Sequence, residues 1–164
     1  MRVVVVGCGY VGLALAGQLD ARSHEVVGVR RSNAGLDAVD AVGSGVEAVR
    51  ADATDPESLS ALPDADAVVF AASSGGRGAD AARKVYVDGL ANVVDEYGSR
   101  AAPPDRLVYT SSTGGYGGHD GGGGGEGTPG GPPTGKTRVP ARAGRGPPER
   151  AGRRRGRGAA ARVA

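Results

Sequence analysis

With 164 residues the chain has the length of one domain. Its one cysteine, Cys8, excludes an internal disulfide and suits a reducing cytoplasm, two histidines leave no expectation of a metal site, and no apolar run has the length of a membrane span or the form of a signal peptide. The net charge of +2 joins two unlike parts: residues 1–100 carry nine Lys/Arg against fourteen Asp/Glu, net −5, and residues 101–164 carry eleven against four, net +7.

In chain order, Val3-Val4-Val5-Val6 is a β-branched run that reads as a strand buried on both faces. It enters Gly7-Cys8-Gly9-Tyr10-Val11-Gly12, a Gly-x-Gly-x-x-Gly turn, and a helix is predicted from about Tyr10 to Ala21, with Val11, Leu15 and Leu19 at helical spacing. Strand, glycine turn and helix in this order form the dinucleotide-binding turn. Gly7 permits the tight turn, Gly9 lets the backbone approach a pyrophosphate, and Gly12 lets the helix lie close to the strand. The helix N-terminus then favours the anion.

Glu25 to Arg30 is the second predicted strand, Asn33 to Val42 a short helix, and Val46 to Arg50 the third strand. Asp55 is a natural N-cap for a helix beginning at Pro56 and ending near Leu62-Pro63. Asp66 to Ala72 reads as the fourth strand. Ala79 to Tyr97 reads as the longest helix, with Ala82, Tyr86, Leu90, Val93, Val94 and Tyr97 on one face. Arg106 to Thr110 reads as the fifth strand. Alternating strands and helices imply a Rossmann-like, doubly wound parallel sheet of about five strands, order 3-2-1-4-5. Its ligands bind beyond the carboxyl ends of the strands, where the Gly7 turn, Arg30-Arg31-Ser32, Asp52, the run from Ala71, and Ser111 to Thr113 all fall.

After Thr113 the composition changes. Eighteen of the 31 glycines follow it, and the only later Val, Leu, Ile, Phe or Met residues are Val139 and Val163. Two valines cannot offset the ordering entropy of about fifty residues. The expected organisation is therefore a folded domain over 1–117 and a low-complexity Gly/Arg/Pro-rich tail over 118–164, disordered and packed on nothing, with the fifth strand left as an exposed edge. The tail admits three readings: a normal sequence corrupted toward G/C-rich codons by sequencing error or gene decay, a genuine disordered tail, or an Arg/Gly nucleic-acid binder. The last is the least favoured, because no aromatics are interleaved.

The motifs G-C-G-Y-V-G, A-D-A-T-D-P-E-S-L, D-A-V-V-F-A-A and Y-T-S-S-T-G-G-Y-G resemble the extended short-chain dehydrogenase/reductases, the NAD-dependent epimerase/dehydratase proteins, and within them the atypical members. The likeness is good from Met1 to about Gly117, patchy to Arg138 and absent beyond. It implies that Asp52 and Ala53 face the adenine, that Ala71, Ala72 and Ser73 line the cofactor behind the fourth strand, and that Ser112 is the active-site hydroxyl. Tyr116 matches the tyrosine of the family's Val-Tyr-Gly turn, with Gly115 in place of the valine, and is not the catalytic tyrosine. The family's catalytic Tyr-x-x-x-Lys is replaced by Thr134 and Arg138. A threonine hydroxyl does not ionise usefully near neutral pH, so this chain is expected to have little or no turnover.

At the end of the second strand an acidic residue would hold the ribose 2′-hydroxyl of NAD, whereas Arg30, Arg31 and Ser32 suit a 2′-phosphate. The expected cofactor is NADP or NAD, with NADP modestly preferred. Three functions follow: an NAD(P)-dependent oxidoreductase or epimerase represented by its cofactor-binding half, a non-catalytic dinucleotide-binding or redox-sensing module, and a nucleic-acid binder. The small-molecule substrate and the oligomeric state are left open.

Overall fold

A computed structural model describes residues 1–75 and 79–110, with the backbone alone at 79 and at 162–163. Its strands are β1 (Arg2–Val6), β2 (Glu25–Arg30), β3 (Val46–Arg50), β4 (Ala67–Phe70), β5 (Arg106–Tyr109) and the two-residue β6 (Arg162–Val163). They form one parallel sheet, β3-β2-β1-β4-β5-β6. The five expected strands thus stand in the expected order. β6 is an addition: Arg162 and Val163 pair with Val108 and Tyr109, on the edge expected to be bare. An edge strand presents unpaired N–H and C=O groups, which any extended backbone can take up.

Helices α1 (Tyr10–Asp20), α2 (Asn33–Asp40), α3 (Pro56–Ser60), α4 (Ala79–Arg83) and α5 (Leu90–Ser99) connect the strands. Alternate valines of β1 face opposite ways, Val4 and Val6 into one core and Val3 and Val5 into another. The second core holds Cys8, Ala16 of α1 and Val39 of α2. The first holds Leu59 of α3 and Leu90, Val93 and Tyr97 of α5. Both faces of the sheet are therefore covered, which is why successive residues of its inner strands, Val3 to Val6 in β1 and Ala67 to Phe70 in β4, are all buried and apolar rather than alternating.

Two helices differ from the sequence pattern. On α1 the buried residues are Gly12 and Ala16, while Leu13, Leu15 and Leu19 pack at the side and Val11 is exposed. Small residues at i and i+4 let the helix lie close to the sheet, and the larger ones flank that contact. The long predicted helix is broken by a π-helical segment, Lys84–Gly89, between α4 and α5. Its wider turn shifts the phase ahead of α5, so Val85 is buried and Tyr86, expected inside, is only half-buried; Val94, also expected inside, is exposed beside the Leu90, Val93 and Tyr97 stripe of α5.

Local signals account for the joints. The carboxylate of Asp55 accepts from the Glu57 amide and caps α3, with Pro56 at the first helical position. The Tyr97 hydroxyl donates to the Pro63 carbonyl at 3.1 Å, and the Arg100 guanidinium lies 4.2 Å over its ring. Burial pushes the Tyr97 phenol up to about 12, against the opposing pull of Arg100.

Candidate functional site

The carboxyl ends of β1, β2, β3 and β4 open on a cavity of about 480 Å³, within the usual size range of small-molecule sites. Its floor is the glycine turn. Gly7 has φ +84°, a left-handed conformation that favours glycine, and a Cβ there would collide with the backbone of Ala72. The Gly7 and Cys8 amides both donate to the Val29 carbonyl, at 3.2 and 3.0 Å, which ties the turn to the end of β2. The chain then enters α1, whose first-turn amides have no acceptor within the helix. Gly9, Tyr10 and Val11 line the cavity at that point.

Arg30, Arg31 and Ser32 line the next wall. Arg30 lies against the turn, its Nη1 2.8 Å from where a Cβ on Gly9 would stand. Arg31 reaches across the opening, with Nη1 3.9 Å from Asp52 Oδ2 and Nη2 3.3 Å from the Cβ position of Gly75. Arg50 of β3 braces this segment by donating to the Arg31 carbonyl at 3.0 Å and to Asn33 Oδ1.

Beyond β3, Ala51, Asp52, Ala53 and Thr54 form the third wall. Asp52 Oδ1 accepts from both the amide and the hydroxyl of Thr54, each at 2.9 Å. Burial would raise the Asp52 carboxyl, but the Thr54 bonds and the charges of Arg31 and Lys84 outweigh it and hold the group below the usual carboxylate range. Ser58 and Asn92 fix the loop backbone, Ser58 Oγ accepting from the Asp52 amide and Asn92 Nδ2 donating to the Ala53 carbonyl, each at 3.0 Å. Ala71, Ala72, Ser73 and Gly75 close the fourth side, with Val85 of the π-helical segment behind.

Of the expected cofactor residues, Gly7, Gly9, Tyr10, Val11, Arg30, Arg31, Ser32, Asp52, Ala53, Ala71, Ala72 and Ser73 all line this cavity. Cys8 and Gly12 are not among its lining residues. The Cys8 side chain is fully buried in the α1/α2 core, where burial pushes its thiol up against the opposing charge of Arg30. Gly12 serves packing, since a Cβ there would meet Val5 Cγ1 and the Gly7 carbonyl at 3.1 Å. The expected catalytic positions Ser112, Thr134 and Arg138, and also Tyr116, lie outside the described residues. Sequence reasoning missed Val6, Val29, Ala51, Thr54, Gly75 and Val85 on the walls and Arg50 behind them; Arg50 comes opposite Arg30 only through the β2–β3 register, which no local signal specifies.

The residues fit a dinucleotide. The first-turn amides of α1 border the cavity beside Gly9, where a helix N-terminus favours an anion, and Arg30 and Arg31 line the adjoining wall, Arg31 facing the Asp52 carboxylate. The model of the NAD(P)H-binding family matches residues 7–123, more than two-thirds of the chain. The chain belongs to that family. Protein YeeZ of Escherichia coli K12 is 32% identical over 119 residues, which cover 71% of this chain and 42% of YeeZ. The chain therefore spans less than half the length of that curated relative. A Bacillus halodurans protein provisionally described as an NAD-dependent epimerase/dehydratase is also 32% identical, with a TM-score of 0.61 over 70% of this chain and 53% of its own. UDP-glucose 4-epimerase from Bifidobacterium longum, solved with NAD⁺ and UDP, has a TM-score of 0.73 over 88% of this chain and 47% of its own. At 16% identity it shows the fold alone. Among the described residues no helix is long and apolar enough to cross a membrane.

Proposed function

We propose that this chain is the cofactor-binding part of an NAD(P)-dependent oxidoreductase or epimerase of the cytoplasm, and that it favours the 2′-phosphorylated dinucleotide. The observation that carries the preference is the pairing of Arg30 and Arg31 on one cavity wall, where Asp52, the one carboxylate among the described lining residues, is already engaged by Thr54 and faces Arg31. A second negative phosphate is attracted there, whereas a ribose hydroxyl finds no free carboxylate to accept from it.

In this reading the α1 amides and Gly9 hold the pyrophosphate, and Arg30 and Arg31 hold the 2′-phosphate. Asp52 and Ala53 border the adenine, while Ala71, Ala72 and Ser73 border the nicotinamide half. When bound, the cofactor supplies hydride transfer; the chain supplies binding and orientation. Among the described lining residues the ionisable side chains are Tyr10, Arg30, Arg31 and Asp52, all on the turn and the β2 and β3 walls. Substrate chemistry thus falls to residues beyond Thr110, where Thr134 and Arg138 replace the family's acid/base pair, and little turnover is expected from these 164 residues.

Fluorescence titration with NADPH and NADH tests the reading. NADPH should bind more tightly, and Arg30→Ala or Arg31→Ala should each weaken it by about ten- to a hundredfold with little effect on NADH. Equal affinities, unchanged by either substitution, would sink the preference.

A further inference from the structure

A guanidinium on a long flexible stem recognises a phosphate well only when something holds it in place beforehand. The structure shows what holds Arg30. On one side is Gly9, whose Cβ would stand 2.8 Å from Nη1. On the other is Gly35, in the first turn of α2: a Cβ there would collide with Arg30 Nε and stand 3.1 Å from Cζ. The guanidinium lies in a slot between two absent side chains.

Gly9 has another reason to be glycine, the close approach of a pyrophosphate. Gly35 has none in its own backbone. It is helical, its φ is not in the left-handed region, and at such a position alanine is the better helix former. Its amide bonds to the Ser32 carbonyl at 3.0 Å, which any residue but proline would make. Apart from the guanidinium, the nearest atom to a Cβ at 35 is Ser32 Oγ at 3.0 Å, the end of a short rotatable side chain. The backbone around the slot is fixed separately by Arg50, which holds the Arg31 carbonyl and Asn33.

We propose that Gly35 is a positioning residue for cofactor choice: its missing side chain is the seat that aims Arg30 along the cavity wall. The proposal rests on the reading that Arg30 meets the 2′-phosphate. Alanine at 35 would displace the guanidinium, because a flexible side chain yields before the helix backbone does.

The test is a titration of the full chain with NADPH and NADH, for the wild type, Arg30→Ala, Gly35→Ala and the double variant, with thermal unfolding of each. The expected result is that Gly35→Ala leaves the unfolding temperature the same or higher, weakens NADPH by about tenfold, leaves NADH within about twofold, and adds nothing to Arg30→Ala. If Gly35→Ala keeps the NADPH preference while Arg30→Ala loses it, the seat is wrong and the functional reading stands. A wild type without preference, unaffected by Arg30→Ala, overturns both. Arg30→Lys covers the case in which Gly35→Ala unfolds: a lysine keeps the charge but lacks the planar group that fills the slot. Loss of the preference in Arg30→Lys supports the seat, and full retention overturns it.

Discussion

The two faces of the sheet are built on different scales. On the α1/α2 face the buried cluster contains no side chain larger than valine: Val3, Val5, Val26, Val39, Val46 and Val69, with Cys8, Ala16 and Ala67. On the opposite face Phe70, Tyr97, Tyr109, Leu59, Leu62 and Leu90 are buried together. The thin face is where the ligand turn is made. α1 must lie against β1 for its N-terminus to border the cavity, and only Gly12 and Ala16 at the contact allow it. The thick face has no such constraint and carries the large apolar surface that stabilises the domain.

If that division is right, changes on the two faces should differ in kind. Phe70 is fully buried, with its ring 5.9 Å from that of Tyr109. Phe70→Ala should cost about 3–5 kcal/mol in urea unfolding, the range for truncating a buried aromatic. Under conditions where the variant is still folded, its NADPH-to-NADH affinity ratio should match the wild type.

Gly28 probes the thin face. An added Cβ would press on Val39 Cγ1 and stand 3.1 Å from Cys8 Sγ. Gly28→Ala should cost about 1–3 kcal/mol, as overpacking does. It should also weaken both dinucleotides together, because Cys8 lies within the turn that binds them. A loss of stability with unchanged affinities would break the comparison.

Tyr97 sharpens it through pH. Its phenol is pushed from 10.0 up to about 12 in the folded chain, so the native state holds that proton more tightly than the unfolded one. Between these values the unfolded state deprotonates first, and stability falls as pH rises. Tyr97→Phe should flatten that alkaline slope. At neutral pH it should cost about 0.5–1.5 kcal/mol through the lost bond to the Pro63 carbonyl. An effect of the same small size is expected at the surface of the thick face: Asp55→Ala, which removes the α3 cap, should cost about 1 kcal/mol in the same unfolding assay and leave the alkaline slope unchanged.

Most of the frame was legible because the signals are local. Four consecutive valines, the glycine turn after them, and Asp55-Pro56 each specify their structure within a few residues. What was not legible depends on contacts distant in sequence. Val11 fits a helical stripe, yet it faces outward because Gly12 and Ala16 take the sheet side. Tyr86 fits another, but the π-helical segment Lys84–Gly89 turns the phase and buries Val85 instead, and no residue type marks a π-turn. Within the site, the two arginines follow from their place after β2. That Arg30 lies between Gly9 and Gly35, and that Arg50 braces the turn from β3, depends on how neighbouring strands bring their ends together.

The strand order also has a consequence for the chain while it is being synthesised. β1 is the central strand, and it is made before both of its neighbours. Its pairing with β2 is complete once Val29 is available, but its other edge waits for Phe70. That interval is roughly forty residues, about 2–8 s at usual rates of synthesis. During it one row of N–H and C=O groups along four successive valines has no partner. The run from Val3 to Val6, which anchors the finished sheet, is therefore the segment of the nascent chain most open to pairing with another copy.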